Sequence, residues 1–168
     1  MVTASRPFMP GYGVVPASEG SGLLPWSWAE DKLRTSHDYW LGSAWPDGRP
    51  HLMPVWGIWA DGAFWFSSAA NSRKVHNLAG DPRCTVAIDD ALDPVVLEGV
   101  VEVRAAEHDR LRFLAHLNAK YGVEYGLDFL DGVTALCLRV RPVTAFGLLQ
   151  ADFTGSPTRW SFSTVDQG

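Results

Sequence analysis

Short alternating or continuous runs of apolar residues dominate the chain from residue 38 onward. Two of the gaps between them are turns, formed by Pro46-Asp47-Gly48 and by Asp61-Gly62. The predicted strands cover residues 38–44, 51–60, 63–67, 84–89, 95–104, 134–140 and 144–149, with a last short extended piece at 158–162. Because no β-α-β alternation is present, the pattern predicts a mainly β fold, a small barrel with a few helices.

Helical spacing of apolar residues replaces this pattern in three places. The predicted helices cover residues 27–36, 72–80 and 106–120. Ser27 and Glu30 match the capping-box pattern at the start of the first helix, which would bury Trp28 and Leu33. Ser72 is the expected N-cap residue of the second helix.

Residues 1–25 contain four prolines and several glycines, a composition typical of an irregular arm. We expect the apolar residues Phe8, Met9 and Tyr12 to hold this arm on the barrel or on a partner subunit. A disordered tail is the alternative. Residues 26–168 are then expected to form a single barrel domain.

Composition narrows the class of protein. The 168 residues are 46% hydrophobic and 20% charged, which is typical of one soluble globular domain. A net charge of −5 argues against binding to nucleic acid or to an anionic membrane surface. No apolar run is long enough to span a bilayer, no signal-peptide pattern is seen, and Cys84 and Cys137 lie in predicted strands, so a cytoplasmic location is expected.

The strongest candidate chemistry lies between residues 65 and 82. An apolar strand ends at Ser67 and Ser68, and a short loop leads to Ser72, Arg73 and Lys74 at the start of a helix. Cations at the positive end of a helix dipole, beside free backbone amides, predict an anion site. The serine hydroxyls would complete a phosphate cradle, and ordinary solvated charges are the alternative reading.

The strand over residues 51–60 has an unusual composition. Pro54 lacks a ladder donor and Gly57 has no side chain to pack. A strand that loses pairing along one stretch exposes its backbone to a ligand, whereas an edge strand without a ligand is the competing interpretation.

Familiar catalytic motifs are absent from the sequence. It contains no H-E-x-x-H, C-x-x-C, G-x-S-x-G or G-x-G-x-x-G pattern, and its five histidines lack ligand spacing. We therefore predict no metal site and assign no catalytic residue. The lack of an evident acid–base pair fits a protein whose bound cofactor carries the reaction.

The motifs of this region come in a fixed order: Phe66-Ser67-Ser68, then Ser72-Arg73-Lys74, then Asn77-Leu78 and Asp81-Pro82. This order resembles the phosphate-binding segment of the pyridoxamine 5′-phosphate oxidase-like split β-barrel superfamily. The resemblance spans about residues 26–163 and is greatest to its flavin and deazaflavin oxidoreductases of actinobacterial type. It implies a split β-barrel in which the Ser-Arg-Lys segment holds a cofactor phosphate.

The resemblance also implies a homodimer with the cofactor in a groove at the subunit interface. The segment beside the flavin ring would be Met53, Pro54, Val55, Trp56 and Gly57. Arg159 and Trp160 stand where the partner subunit completes the pocket in such proteins. An indole that only seals the dimer interface is the alternative for Trp160.

Some members of the superfamily bind FMN and others bind the deazaflavin coenzyme F420. The arm from Arg6 to Gly13 and the segment from Leu24 to Trp28 look like the deazaflavin users, so the resemblance favours F420 over FMN. The implied activity is hydride transfer from reduced F420 to an unsaturated small molecule. Alternatives are an FMN-binding relative of the oxidase, a non-catalytic cofactor carrier, and a haem-handling relative with His51 or His76 as the iron ligand.

Overall fold

The computed structural model describes residues 1–163, and strands dominate this part of the chain. The eight strands are β1 (Val2–Ser5), β2 (Asp38–Ala44), β3 (Pro50–Ala60), β4 (Ala63–Ala69), β5 (Arg83–Ile88), β6 (Val95–Val103), β7 (Ala135–Gly147) and β8 (Thr158–Phe162). The three α-helices are α1 (Trp26–Thr35), α2 (Arg73–Gly80) and α3 (Glu107–Tyr121). The predicted mainly β architecture is confirmed.

The sheet closes on itself. Its strand order is β1-β8-β7-β4-β3-β2-β5-β6, and a further pairing of β6 with β7 completes a ring of six antiparallel strands. β8 pairs with β7, and β1 pairs with β8, so these two strands extend the sheet beyond the ring. This closed barrel with extra strands is consistent with the predicted split β-barrel.

β7 is one strand where two were predicted. Arg141-Pro142 looked like a break, but both residues pair with β6. The register shifts between Glu98 and Gly99, next to the pairing of Gly99 with Pro142. An irregularity of this kind accommodates a residue that cannot donate to the ladder, so the strand continues through the proline.

The capping prediction for α1 is wrong. The N-cap residue is Pro25, in an extended conformation, and no side chain caps the helix. Ser27 lies inside the first turn, and the Glu30 carboxylate instead accepts a hydrogen bond from Trp59 Nε1 at 3.0 Å. Leu33 is buried as predicted, whereas Trp28 is only half-buried against the core.

Two hydrophobic clusters stabilise the fold. The larger fills the barrel around Tyr39, Phe64 and Phe66, all fully buried. The smaller lies outside the barrel wall, where α3 packs Phe113 and Leu117 against β3, β4 and β7. Because adjacent residues of β4 point to opposite faces, this one strand contributes to both clusters.

The N-terminal arm is more ordered than its composition predicted. β1 pairs with β8 along its whole length. The guanidinium of Arg6 donates six hydrogen bonds, with one of its five N–H groups shared between two acceptors. These bonds join the N-terminal arm to the segment before β8, and their acceptors are the carbonyls of Val15, Pro16, Glu19, Gly22, Gly155 and Pro157. Of the three residues expected to hold the arm, Met9 is partly buried, and Phe8 and Tyr12 are exposed, although Tyr12 lies 6.1 Å from Phe153 between ring centroids. Anchoring on a partner subunit stays a prediction.

No helix among residues 1–163 has the length and apolar character that crossing a membrane requires.

Candidate functional site

β3 changes partner partway along its length. Residues 50–56 pair with β2, and residues 57–60 pair with β4. β4 pairs with β7 over residues 64–69, and its residues 67–69 have no partner in β3. Among the described strands none pairs with residues 50–56 on their second side, so this stretch is an unpaired edge. The predicted loss of pairing is therefore seen, although its use by a ligand stays a prediction.

Gly57 lies at the point where the partner changes, and packing requires its lack of a side chain. A Cβ there would lie 2.2 Å from Phe64 Cζ and 2.8 Å from the Trp65 carbonyl oxygen. Gly57 is itself buried. Its lack of a side chain allows close approach to β4, while the predicted contact of its backbone with a cofactor stays a prediction.

Three side chains converge beyond the end of β4. Ser68 Oγ lies 3.0 Å from Ser72 Oγ, and Lys74 Nζ donates to Ser68 Oγ at 3.2 Å. Ser72 is the N-cap residue of α2, as predicted, because its Oγ accepts from the Val75 amide at 3.3 Å. We call Ser68, Ser72 and Lys74 the cradle.

The electrostatics of the cradle favour an anion. The first-turn amides of Arg73 and Lys74 are among the donors that a helix N-terminus leaves without intrahelical acceptors. α2 lies wholly within the described residues, and its first turn contains no acidic side chain. Half-burial lowers the pKa of the Lys74 ammonium, since desolvation disfavours its charge. A bound phosphate would compensate for that desolvation.

Arg73 and Ser67 lie apart from the cradle. The Arg73 guanidinium is exposed and stacks on Trp45, with its Cζ 4.1 Å from the ring centroid. Arg49 contacts the same indole at 4.4 Å. Ser67 alternates with Ser68 along β4, so its side chain points to the opposite face of the strand. The structure thus brings together three of the five predicted phosphate ligands.

The predicted ring wall is partly buried and partly exposed. Val55 is buried in the barrel core, whereas Met53, Pro54 and Trp56 are exposed. The Trp56 indole stacks on Tyr121 with ring centroids 4.3 Å apart and planes 4° from parallel. What this wall presents to solvent is therefore a strand edge and one supported indole.

The last two residues of α3 contact β3 at the partner switch, and sequence reasoning missed them. Tyr121 Oη accepts from the Gly57 amide at 2.9 Å, and Lys120 Nζ donates to the Gly57 carbonyl at 2.8 Å. Lys120 Nζ also donates to Tyr39 Oη at 2.7 Å. Burial lowers the pKa of Lys120 to about 8 and raises those of Tyr39 and Tyr121. No local sequence signal links residues 63 positions apart.

Comparison with known proteins gives the family. The family model described as pyridoxamine 5′-phosphate oxidase matches residues 29–146. The chain belongs to the pyridoxamine 5′-phosphate oxidase family. Members of this family bind flavins or deazaflavins. No curated protein sequence matches the chain.

Solved structures agree on the fold of this oxidase-family chain. The conserved hypothetical protein Rv2991 from Mycobacterium tuberculosis is 24% identical, with a TM-score of 0.63 over 73% of this chain and 82% of that one. A structure named F420 reductase is 21% identical, with a TM-score of 0.57 over 69% and 94%. HutZ, the haem storage protein from Vibrio cholerae, is 14% identical, with a TM-score of 0.55 over 69% and 88%. At these identities the likeness shows the fold alone.

Of the two residues predicted to complete a pocket in the partner subunit, Trp160 is buried in its own chain, whereas the role of Arg159 stays a prediction. The Trp160 indole is 1% exposed, and its Nε1 donates to the Leu24 carbonyl at 3.2 Å in the core of its own chain. Its size and apolar character are used for core packing, so it has no free face for a cofactor ring. Arg159 is exposed and lines a small cavity together with Phe8.

The donor set fits the cofactors of the oxidase family. Their shared features are a phosphate and a planar ring. Lys74, Ser68, Ser72 and the first-turn amides of α2 supply the cation, hydroxyls and backbone donors that phosphate binding uses. Within residues 1–163, no group of three or more histidine, cysteine or acidic side chains is arranged to hold a metal ion.

Proposed function

We propose that this chain is a deazaflavin-dependent oxidoreductase that binds reduced coenzyme F420 beside the unpaired edge of β3 and reduces an unsaturated small molecule. One observation carries the proposal. The cradle of Ser68, Ser72 and Lys74 forms at a helix N-terminus, next in the chain to the strand that leaves that edge unpaired.

The residues of the cradle would hold the cofactor by its phosphate. Lys74 supplies the compensating charge, and its contact with Ser68 directs the ammonium toward the helix N-terminus. Ser72 both caps α2 and offers a hydroxyl, so the anion would bind to a group that the fold has already placed. Binding here would orient the rest of the cofactor along β3.

The wall would orient the planar ring. Met53, Pro54 and Trp56 are exposed along the edge, and Tyr121 fixes the Trp56 indole by stacking. When bound, the reduced deazaflavin supplies a hydride, so the protein needs only to position its ring and the acceptor. The edge is open to water, and we therefore assign the accompanying proton to solvent.

We further propose that the protein acts as a homodimer and that the cofactor groove lies at the subunit interface. Three large apolar side chains on one face of β2 and β3 are exposed: Trp40 by 43%, Leu52 by 59% and Trp56 by 44%. Met53 is exposed by 42% but points to the opposite face of β3. Trp40 pairs with Pro54, and Leu52 pairs with Gly42, so β2 and β3 carry this surface together. We call the side chains of Trp40, Leu52 and Trp56 the apolar face. A second copy placed on it would cover these side chains and form one side of the groove.

Titration of the purified protein with F420 and with FMN, followed by quenching of tryptophan fluorescence, tests the proposal. We expect micromolar or tighter binding, with F420 preferred. Dissociation constants above about 100 µM for both cofactors would contradict it, because cofactor sites reach about −8 kcal/mol or better.

Turnover distinguishes an enzyme from a carrier. Oxidation of bound reduced F420 that accelerates when unsaturated acceptors are added supports the oxidoreductase. Tight binding with no acceleration over a broad acceptor panel would identify a non-catalytic carrier instead.

A further inference from the structure

The C-terminal end of α3 and the partner switch of β3 form a second constellation that the cradle does not use. Lys120 Nζ and Tyr121 Oη together bond both the carbonyl and the amide of Gly57, at 2.8 and 2.9 Å. Tyr121 Oη also lies 2.6 Å from the His37 carbonyl, to which it donates. Two consecutive side chains therefore hold the backbone at the point where β3 leaves one partner strand for the next.

Lys120 is an unusual residue for that position. Its ammonium is half-buried and lies over two aromatic rings, 4.5 Å from the Tyr39 centroid and 5.2 Å from the Tyr121 centroid. No carboxylate in the described part of the chain forms a salt bridge with it; Asp38 of β2 and Asp89 after β5 act only at longer range. A well-packed apolar residue often serves stability at a buried site as well as or better than a charge. The contacts of the ammonium with the Gly57 carbonyl and the Tyr39 hydroxyl therefore indicate its role better than its burial does.

The contacts of Lys120 and Tyr121 place their role at the ring wall. Gly57 follows Trp56 directly, and the Trp56 indole is stacked flat on Tyr121. The Gly57 backbone bonds and the indole stack consequently fix the end of the unpaired edge from two directions. Neither residue touches the cradle, so their action is on the geometry of the wall.

We propose that Lys120 and Tyr121 are positioning residues that hold Gly57 and Trp56 in place and thereby set the shape of the wall against which the planar ring lies. The identity of the ring rests on the proposed function. The positioning of Trp56 and Gly57 is a property of this chain alone and can be measured without a cofactor.

The test compares Lys120→Met and Tyr121→Phe with the wild type, with Lys120→Arg as the conservative variant. Tyr125→Phe is the matched control, because Tyr125 also ends in a phenol but contacts Phe129 in the loop after α3. Thermal midpoint, near-ultraviolet circular dichroism and hydrogen exchange over residues 50–57 are measured without cofactor. F420 and FMN affinities are measured separately.

For Lys120→Met we expect an unchanged or higher thermal midpoint at pH 7, together with an altered aromatic dichroism signal. Exchange over residues 50–57 should rise about tenfold while the rest of the barrel stays protected, since the opening is local. Cofactor affinity should fall about tenfold, because Gly57 and Trp56 are no longer held in place against the ring. Tyr121→Phe should show the same local effects, and Lys120→Arg should restore part of them.

An unchanged dichroism signal and unchanged exchange in both variants would overturn the proposal. A lower midpoint with exchange rising across the whole barrel would also overturn it, because that result describes an ordinary structural role. If Lys120→Met fails to fold, Tyr121→Phe and Lys120→Arg give the same readouts. A wild type that binds neither cofactor would refute the proposed function, while dichroism and exchange would still decide the positioning role.

Discussion

Adjacent charges at the start of α2 have different surroundings, although the sequence presents them as a pair. Lys74 is half-buried and bonded to Ser68, whereas Arg73 is exposed and stacked on Trp45. A residue's contribution to anion binding depends on desolvation and on the donors beside it. We therefore expect Lys74 to contribute more than Arg73 to binding a cofactor phosphate.

Replacing Lys74 with alanine should weaken cofactor binding by about 1.5–3 kcal/mol, the range for a hydrogen bond to a charged group. Arg73→Ala should cost clearly less, because its guanidinium lies outside the cradle. Isothermal titration with the preferred cofactor measures both. The control is Arg112→Ala, whose side chain pairs with Asp61 at the β3–β4 turn. Equal losses for Arg73 and Lys74, or no loss for Lys74, would contradict this assignment.

The Lys120 ammonium should give stability a distinctive pH dependence. Its pKa in the folded chain is about 8, below its ordinary value of 10.5, because of burial. Between these values the unfolded chain binds more protons, so the free energy of unfolding should rise with pH across this window. Below pH 8 the desolvation cost is fully present.

Urea unfolding of the wild type and Lys120→Met at pH 7 and pH 9.5 measures this effect. The wild type should gain stability relative to the variant as pH rises. The lowered pKa of Lys74 also makes the free energy of unfolding rise with pH, whereas the raised pKa values of the buried thiols of Cys84 and Cys137 make it fall. Both proteins contain these three groups, so their effects cancel in the comparison. A constant difference between the two proteins would show that Lys120 is not held in a desolvating environment.

At the level of elements, the proposed site depends on β3, which pairs with β2 along residues 50–56 and with β4 along residues 57–60. The pairing of β3 with β4 ends at Gly57, where the Phe64 ring occupies the space that a side chain would fill. Pattern reading found this strand and its lost pairing, since Pro54 and Gly57 are visible in the sequence. It did not show that residue 57 is a glycine in order to make room for the Phe64 ring, because that contact depends on how β3 and β4 pack.

Gly57→Ala should destabilise the protein by about 1–3 kcal/mol through overpacking against Phe64 and Trp65. Gly80→Ala is the matched control, because nothing lies within 4 Å of a Cβ at the end of α2. Its effect should stay within about 0.5 kcal/mol. Chemical denaturation compares the two variants, and similar midpoints would rule out the close packing at Gly57.

Arg6 joins the N-terminal arm to the segment before β8. Its six hydrogen bonds to carbonyls use a planar fork that a lysine ammonium cannot reproduce. Arg6→Lys should therefore lower stability by about 1.5–3 kcal/mol and raise hydrogen exchange in β1 and β8. The control Arg34→Lys alters an exposed pair on α1 and should have little effect. Equal losses of stability for Arg6→Lys and Arg34→Lys would mean that the Arg6 hydrogen bonds add nothing to the free energy of unfolding.

For the whole molecule, the alternation of apolar residues was enough to predict a closed mainly β fold. It did not reveal β1, whose four exposed residues form a strand only because β8 lies beside them. Nor could it place Trp160, since burial of an indole depends on which elements pack around it. Partner-dependent features of this kind are a property of the tertiary structure.

The apolar face predicts the oligomeric state. Leu52→Asp puts a charge on this face and should convert a dimer into a monomer, because burying an unpaired carboxylate opposes association. Sedimentation velocity measures the mass of each species. Leu92→Asp is the control, since Leu92 is also exposed but lies in the β5–β6 turn. A monomeric wild type, or a variant that stays dimeric, would refute the proposed interface.

The open edge of β3 also bears on solubility. An unpaired strand rich in apolar residues is a template on which a strand from another molecule can add, the first step of aggregation. Pro50 and Pro54 fall within this edge, and each removes an amide donor that such addition would need. The two prolines therefore protect the unpaired edge of β3, because they disfavour its pairing with a strand of another molecule.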